Sequence, residues 1–354
     1  RTRSFCLSKA HPQHFLQTGL KGCYDGSGRE VSCRGTFQDG ALRLGEPLPE
    51  KRFESGEQTV FDRCTGLSWA RSANHFQFPL SWPEALEAVQ SLNAEAFGEC
   101  TDWRLPNRRE LRSLVWHGTS RPALPSGHPF SEVQQTWYWT STTSAMHPAY
   151  AWYVHFEGGR MFWGRKDQYA LVWPVRGGGF ALPRTGQTGC FDSRGSQVHC
   201  SGSGQDGAYR SGLQWPSPRF TPLPAGILDR LTNLVWHRDG FLDREELSWE
   251  QALDRVAGLR ARDNIAWHMP NINELESLVD ASRHSPALPA EHPFRNVQEV
   301  YWSSTTSCFA TDWAFALYLH KGAVGVGYKP TAKLAVWPAV EASRLERLNP
   351  SCPA

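Results

Sequence analysis

The stretch DWRLPNRREL, residues 102–111, returns later in the chain as AWHMPNINEL, residues 266–275. Both contain Trp-x-x-Pro-Asn-x-x-Glu-Leu. The proline biases the residue before it toward an extended conformation, and an asparagine followed three residues later by glutamate is a pattern that caps the start of a helix. Each stretch therefore predicts an extended segment that leads into a short helix. This pattern is more typical of a scaffold element that is built twice than of an active site.

The similarity between the two halves extends over almost the whole chain, which is the signature of a tandem repeat. The aligned segments are TGLKGCYDGSGREVSC (18–33) with TGQTGCFDSRGSQVHC (185–200), LSWPEAL (80–86) with LSWEQAL (247–253), and YWTSTTS (138–144) with YWSSTTS (301–307). The copies meet at the flexible joint Gly177-Gly178-Gly179. We predict four parts: an N-terminal segment 1–15, a first repeat 16–178, a second repeat 179–342 and a C-terminal tail 343–354.

Capping and periodicity predict the secondary structure of each repeat. Ser81 with Glu84 and Ser248 with Gln251 form capping boxes, and the apolar spacing that follows them is typical of an amphipathic helix. Downstream, AWYVHFEGGRMFW (151–163) alternates between apolar and polar residues and turns at two glycines, which predicts a hairpin. Each repeat therefore reads as a loop-rich α+β domain with two helices and a small antiparallel sheet.

Twelve of the sixteen tryptophans form six matched pairs between the repeats, with Trp152 assigned to Trp313. Large rings retained at the same register are expected to fill the core, because each buries a large apolar area. The unmatched tryptophans, at positions 116, 137, 163 and 215, are better candidates for an exposed contact surface.

The nine cysteines indicate an oxidising compartment. The pairs Cys23–Cys33 and Cys190–Cys200 flank turn sequences at equivalent positions, so each is expected to staple a hairpin. Cys64 and Cys100 are both absent from the second repeat, as a bonded pair would be. The preferred pairing of the remainder joins Cys6 to Cys352 and leaves Cys308 free. The protein is therefore expected to be exported, in the extracellular space, at the cell surface or in the periplasm.

Charge and hydropathy argue against nucleic-acid binding and against a transmembrane segment. The net charge of +2 comes from 37 basic and 35 acidic residues that are interleaved, so the broad basic surface of a nucleic-acid-binding protein is missing. No apolar run approaches the roughly 20 residues that a transmembrane helix requires. We therefore expect neither a nucleic-acid partner nor a transmembrane segment.

The order of these motifs along the chain resembles that of a known family. Trp-Arg-Leu-Pro-Asn-x-x-Glu-Leu, then Tyr-Trp-Thr-Ser-Thr-Thr and a closing Val-Trp-Pro-Val-Arg, is similar to the C-terminal domain family of the legionella collagen-like protein. The resemblance covers nearly the whole chain, twice. It implies two tandem domains with a C-type-lectin-like fold in an exported bacterial surface protein, and the named member is an adhesin that binds sulfated glycosaminoglycans. The second repeat departs from the pattern with His268-Met269 in place of Arg-Leu.

Catalysis is not expected. Related lectin-like folds include formylglycine-generating oxidases, a minor alternative, but these need a reactive cysteine pair or an iron-binding histidine set. Here Cys308 stands alone, and His128 and His292 precede proline in loops. Ser141 and Ser304 lack a glycine elbow and a positioned base. We expect no catalytic residues, no metal and no cofactor.

Two binding roles remain open. Tyr153, Arg160, Trp163, Arg165 and Lys166 mix cations and rings around the first hairpin, which suits a glycan, including a sulfated one, because cations attract its anions and rings stack on sugar faces. In the alternative, the protein is a structural or accessory subunit of a multi-protein surface assembly. Its partner interface would then include Trp116, Trp137 and Trp215.

Overall fold

The structure is a computed structural model that describes residues 15–179 and 181–346. The first repeat contains β1 Cys23–Tyr24, β2 Glu30–Val31, α1 Asp39–Leu42, β3 Phe53–Ser55, β4 Thr59–Asp62, β5 Leu67–Ala70, α2 Trp82–Ala94, α3 Arg108–Ser113, β6 Trp137–Thr143, β7 Tyr150–His155, β8 Arg160–Arg165 and β9 Val175–Arg176. The second contains β10 Cys190–Phe191, β11 Gln197–Val198, α4 Asp206–Tyr209, β12 Phe220–Pro222, β13 Ile227–Asp229, β14 Leu234–Trp236, α5 Trp249–Asp263, α6 Ile272–Ser277, β15 Val300–Thr306, β16 Trp313–Tyr318, β17 Ala323–Tyr328, β18 Ala339–Glu341 and α7 Ala342–Glu346. The fold is mixed, mostly sheet with few helices, and it is built twice.

The helices begin where the capping patterns place them. Helix α3 starts after Asn107, whose side chain accepts from the backbone N–H groups of Arg109 and Glu110, both at 3.0 Å. Glu110 in turn accepts from the backbone N–H of Asn107 at 2.8 Å. The same reciprocal box is present at α2, α5 and α6. These boxes satisfy N–H groups that a helix start leaves unpaired.

The repeated motif Trp-x-x-Pro-Asn-x-x-Glu-Leu belongs to the scaffold, as predicted. Trp103 is fully buried, and Arg104 makes two hydrogen bonds, of 2.6 and 2.7 Å, to the carboxylate of Glu110. In the second repeat His268 takes the place of this arginine and lies 2.9 Å from Glu274. In both repeats, the residue after the tryptophan ties the extended segment to the helix that follows.

The two repeats share one six-stranded sheet, in the order β15-β16-β17-β8-β7-β6. Tyr138 and Tyr301 occupy equivalent positions. Across the paired strands, the register leads from Tyr138 to Met161 in the first repeat and from Tyr301 to Val324 in the second. Met161 and Val324 are therefore equivalent residues that pair with each other. A pseudo-two-fold axis passes between them and relates the repeats. Each repeat also contains one four-stranded sheet, β3-β4-β5-β9 in the first and β12-β13-β14-β18 in the second. We call the part of each repeat from this sheet onward its main domain.

The N-terminal part of each repeat packs against the other repeat. We call residues 16–46 the first hairpin module and residues 183–213 the second. In the first module Asp39 accepts from Thr305 of the second repeat at 2.7 Å, and Gly28 O accepts from Thr311 at 2.7 Å. In the second module Asp206 accepts from Thr142 of the first repeat at 2.7 Å. The modules are thus exchanged reciprocally, so each repeat closes over the other.

The register of the sheet corrects one tryptophan assignment. Eleven of the twelve matched tryptophans are fully buried, as expected of core residues, but Trp313 is 36% exposed. Ala151 and Ala314 pair with the equivalent residues Thr143 and Thr306, so the counterpart of Trp152 is Phe315 and that of Trp313 is Tyr150. The assignment of Trp152 to Trp313 was wrong because it shifts the strand by two residues relative to the equivalent threonines before it and the equivalent turn glycines, Gly159 and Gly322, after it.

Two predicted disulfides are confirmed, Cys23–Cys33 and Cys190–Cys200. Each joins the strands of one hairpin module. The proposed pairing of Cys6 with Cys352 lies outside the described residues. Cys308 carries a free thiol, in line with the prediction.

The predicted Cys64–Cys100 disulfide is wrong, since both thiols are free. The thiol of Cys100 donates to Gly98 O at 3.2 Å, and Gly98 lies beside Thr59 at the start of β4. Cys64 lies two residues beyond the other end of β4. No disulfide joins them, and the Cys100 thiol is bound instead to a backbone carbonyl of its own loop.

We expect the two repeats to remain associated after the joint between them is cut. A protease site inserted between Gly178 and Gly179 would be cleaved in the folded protein, and the fragments would co-elute from a size-exclusion column, because each exchanged module holds the opposite repeat. Denaturant followed by the same column should separate them. Elution of two separate fragments without denaturant would contradict the exchange.

Candidate functional site

One face of the six-stranded sheet is covered only at its two ends. Trp139 donates its indole N–H to Leu80 O, and Trp302 donates to Leu247 O, both at 2.8 Å, so the loops before α2 and α5 cover the outer strands. The centre of this face is half-exposed. We call it the sheet-face surface, and its residues are Trp137, Tyr153, His155, Arg160 and Phe162 of the first repeat with Val300, Tyr318, His320 and Lys321 of the second.

Strand alternation explains why aromatic rings gather on this face. Tyr153 pairs with Phe162 and with Trp139 across the sheet, so their side chains project from the same side. Trp152, Val154 and Met161 alternate with them and are buried in the core on the opposite face. The same sequence pattern therefore supplies a core face and an aromatic outer face.

The rings form a connected group across the pseudo-two-fold axis. The centroid of Trp137 lies 4.0 Å from that of Tyr153 and 4.6 Å from that of His155. Phe162 lies 6.3 Å from Tyr318 of the second repeat. Gly325 permits this contact, since a Cβ there would lie 2.6 Å from the ring of Tyr318 and 3.0 Å from Phe162. Both repeats are needed to complete the surface.

Two cations border these rings. The Nζ of Lys321 lies 5.6 Å from the ring centroid of Tyr318, 6.0 Å from Phe162 and 5.0 Å from Trp163. Arg160 is opposite His155 in the sheet register. Within residues 15–179 and 181–346, neither Lys321 nor Arg160 has a carboxylate within ion-pair distance. Their charges are available to an anionic ligand.

Three titratable rings of the surface, His155, Tyr153 and Tyr318, are held in their neutral forms. Burial lowers the pKa of His155, and the nearby Arg160 lowers it further. Burial raises the pKa of Tyr153 and of Tyr318. The surface therefore presents neutral hydrogen-bonding rings beside fixed positive charge.

The five residues predicted to bind a ligand do not all lie on the same surface. Tyr153 and Arg160 lie on the sheet-face surface. Trp163 pairs with Trp152 and so projects from the opposite face, although Lys321 reaches it. Arg165 is exposed at the end of β8, where it forms a 2.6 Å ion pair with Asp167.

The prediction that Lys166 contacts a ligand is wrong, because this side chain is fully buried. Its Nζ donates to the carbonyls of Phe191 and Asp192 at 2.9 and 3.1 Å and lies 4.1 Å from the ring centroid of Trp82. Burial lowers the pKa of Lys166 to about 7. Lys329 is the equivalent residue and reaches Asp25 O of the first module. These lysines hold the exchanged modules.

The three tryptophans predicted for a partner interface are all half-buried, in different places. Trp137 lies on the sheet-face surface. Trp116 packs against Gly19 of the first hairpin module, where a Cβ would lie 2.2 Å from its ring. Trp215 donates to Arg184 O at 2.9 Å and lies under the guanidinium of Arg219 at 4.8 Å. Their role in binding another protein stays a prediction.

Sequence reasoning did not place residues of the second repeat on the same surface as those of the first. Phe162 alternates with Met161 and could have been placed beside Tyr153 from the hairpin turn alone. Tyr318, His320 and Lys321 lie more than 150 positions away in sequence. Only the edge-to-edge pairing of β8 with β17 brings them to the same surface, and no local pattern encodes it.

Two α+β repeats that share a sheet, exchange disulfide-bonded modules and leave an aromatic sheet face uncovered define a tandem-repeat protein with a composite surface. The chain belongs to the family of the Lcl C-terminal domain, whose model matches residues 58–176 and 225–340, more than half of the sequence. No curated protein matches the chain. The matched segments exclude both hairpin modules, so the family domain is the main domain of each repeat.

Two further observations concern the described residues. None of their helices combines the length and apolar character needed to cross a membrane. No group of three or more His, Cys, Asp and Glu side chains among them is arranged to hold a metal ion.

Proposed function

We propose that the protein is a non-catalytic, exported recognition module that binds an acidic glycan, including a sulfated one, through the sheet-face surface. Its main domains would have a C-type-lectin-like fold, and it would act outside the cell, at the cell surface or in the periplasm. The observation that carries this proposal is the connected row of half-exposed rings bordered by Arg160 and Lys321. The two disulfides support export.

The chemistry of the surface suits a sugar chain. Aromatic rings stack on the apolar faces of sugars, and a partly desolvated cation beside a ring is attracted both to the ring and to an anionic substituent. Arg160 can make two parallel hydrogen bonds to a sulfate or carboxylate group. Because the rings extend from Trp137 in the first repeat through Phe162 to Tyr318 in the second, the surface suits an extended chain more than a single small molecule.

A second candidate is an accessory subunit of a multi-protein surface assembly. Trp137 supports it, since tryptophan, tyrosine and arginine dominate the energetics of protein interfaces, and Trp137, Tyr153 and Arg160 lie together. The enzyme class is not proposed, because no catalytic residue set can be assigned.

We expect Arg160→Ala with Lys321→Ala to abolish retention on a heparin column at about 0.1 M salt. The two cations provide the attraction to anionic groups, which salt screens. Tyr153→Ala should weaken retention less, since it removes stacking but leaves both charges. Retention measured as the eluting salt concentration gives the readout.

The matched control is Arg165→Ala with Lys51→Ala, which removes the same charges from exposed positions outside the surface. It should elute with the unmodified protein. Equal losses in both double variants would mean that net charge alone governs retention, and would reject the proposed site. Stoichiometric co-purification of a protein that the Trp137→Ala variant loses would favour the accessory subunit.

A further inference from the structure

A small cleft lies where helices α3 and α6 meet at the pseudo-two-fold axis. Its volume is about 60 Å³, which is room for about four water-sized groups. Its lining includes equivalent residues of both repeats, Arg109 with Asn273, Arg112 with Glu276 and Ser113 with Ser277. The repeats have diverged here in charge, because the first contributes arginines where the second has an amide and an acid.

Most charges around the cleft are paired. Arg52 makes hydrogen bonds of 2.9 and 2.7 Å to Asp62, and Arg112 makes one of 2.9 Å to Glu276. The other oxygen of Glu276 lies 3.9 Å from Arg108. The only carboxylate that lines the cleft, within the described residues, is thus shared by two arginines.

Among the described residues that line the cleft, Arg109 is the cation without a carboxylate within ion-pair distance. Its Nη2 donates only to backbone carbonyls, those of Ser277 at 3.3 Å and Val279 at 2.7 Å. Burial lowers its pKa to about 10, and the nearby Arg219 contributes to this decrease. Asp280, a neighbouring carboxylate, is engaged by the hydroxyl and backbone N–H of Ser282.

Two guanidinium groups meet at one carbonyl oxygen. Arg219 donates to Ser277 O at 2.8 Å, the same oxygen that accepts from Arg109. The Nη1 atoms of Arg219 and Arg108 are both buried, and neither has an acceptor among the described residues. Arg219 is paired with Asp229 through hydrogen bonds of 3.0 and 2.8 Å, so Arg109 is the guanidinium here that lacks a carboxylate. A buried cation beside a second cation is costly unless it has a counter-charge of its own.

We propose that the cleft binds a small oxyanion group, with Arg109 as its principal ligand. A sulfate, phosphate or carboxylate would accept from the unpaired guanidinium and offset the excess positive charge between the repeats. Its size matches a cleft of about 60 Å³. The bound anion would stabilise the contact between repeats, and this role is independent of the sheet-face surface.

The test is denaturant unfolding of the full chain with 0 to 20 mM sodium sulfate, phosphate or acetate, at pH 7 and an ionic strength held constant with sodium chloride. A ligand that binds the folded state raises the unfolding midpoint with the logarithm of its concentration above its Kd. We expect this logarithmic rise with at least one oxyanion. A response to acetate as well as sulfate would assign a carboxylate-accepting site, and a response to sulfate and phosphate alone a tetrahedral one. No rise with any of them overturns the proposal.

Variants assign the site. Arg109→Asn introduces the residue that the second repeat has at this position, and it should abolish the rise, while Arg165→Asn removes the same charge from the exposed surface and should retain it. If Arg109→Asn does not fold, Arg109→Lys keeps the charge and should shift the response to a higher concentration. The Arg160→Ala with Lys321→Ala variant should respond like the unmodified protein. Loss of the response in that variant, or its persistence in Arg109→Asn, would place anion binding elsewhere.

Discussion

Substitution of Arg112 by alanine is expected to destabilise the folded protein by about 3–5 kcal/mol, the cost of breaking a buried ion pair from one side. Arg112 is 5% exposed, and its partner Glu276 is 7% exposed. The variant would leave the carboxylate of Glu276 buried beside Arg108 alone. It would also remove the 2.7 Å hydrogen bond from Arg112 to Gly159 O. Urea unfolding at pH 7 measures the change.

A second variant, in which apolar side chains replace the charged ones, separates the effect of charge from that of packing. Arg108→Leu, Arg112→Leu and Glu276→Leu together remove the carboxylate and both arginines that contact it. This triple variant should recover most of the lost stability, because a complete buried ion network can often be replaced by apolar residues at little cost. Arg165→Ala, which breaks an exposed ion pair with Asp167, should cost no more than about 1 kcal/mol. A triple variant as unstable as Arg112→Ala would show that the site depends on shape and not on the pairing of charges.

Much of the architecture was accessible from the sequence because it is encoded locally and repeated. Asn107 with Glu110 and Ser81 with Glu84 cap helices through residues only three apart, so the pattern survives in each copy. The two hairpin disulfides close short loops of equivalent sequence. Buried tryptophans such as Trp103 and Trp267 were recognised for the same reason.

The relation between the repeats was not accessible, because it depends on contacts between residues that are far apart in sequence. Lys166 looked like an exposed cation at the end of a strand, but it is buried by a hairpin module that belongs to the other repeat. Lys321 contributes to the sheet-face surface only because β17 pairs with β8. Cys64 and Cys100 appear coupled by their joint absence from the second repeat, yet both thiols are free. Pairwise comparison of two copies identifies shared positions, but it does not give distances.

The buried carboxyl group of Asp39 is expected to make stability depend on pH. Burial is the main cause that raises its pKa from the ordinary value of 3.8 to about 7, against hydrogen bonds from Thr18 and Thr305. A group whose pKa is raised on folding contributes stability below its unfolded pKa and loses that contribution as the pH rises through the folded value. The loss from Asp39 should therefore extend from about pH 4 to pH 7.

The Asp39→Asn variant isolates this contribution. At pH 4 it should match the unmodified protein, since the amide resembles the protonated carboxyl group and its oxygen can accept from the same two threonines. Above pH 7 the variant should be more stable by up to about 4 kcal/mol, because each pKa unit corresponds to about 1.4 kcal/mol. Urea midpoints from pH 4 to 9 give the difference, and a constant difference would contradict the buried, exchanged position of the first module.

The equivalent Asp206 provides an internal comparison for this pH dependence. Burial raises its pKa to about 6, less than for Asp39, and Arg104 is among the groups that lower it. In the second repeat His268 takes the place of this permanently charged arginine near Asp39. The stabilisation by Asp206→Asn should therefore be smaller, up to about 3 kcal/mol, and should reach its full value about one pH unit earlier. If both variants gave the same profile, the neighbouring Arg104 and His268 would not control the two carboxyl groups, and the exchanged modules would be electrostatically equivalent.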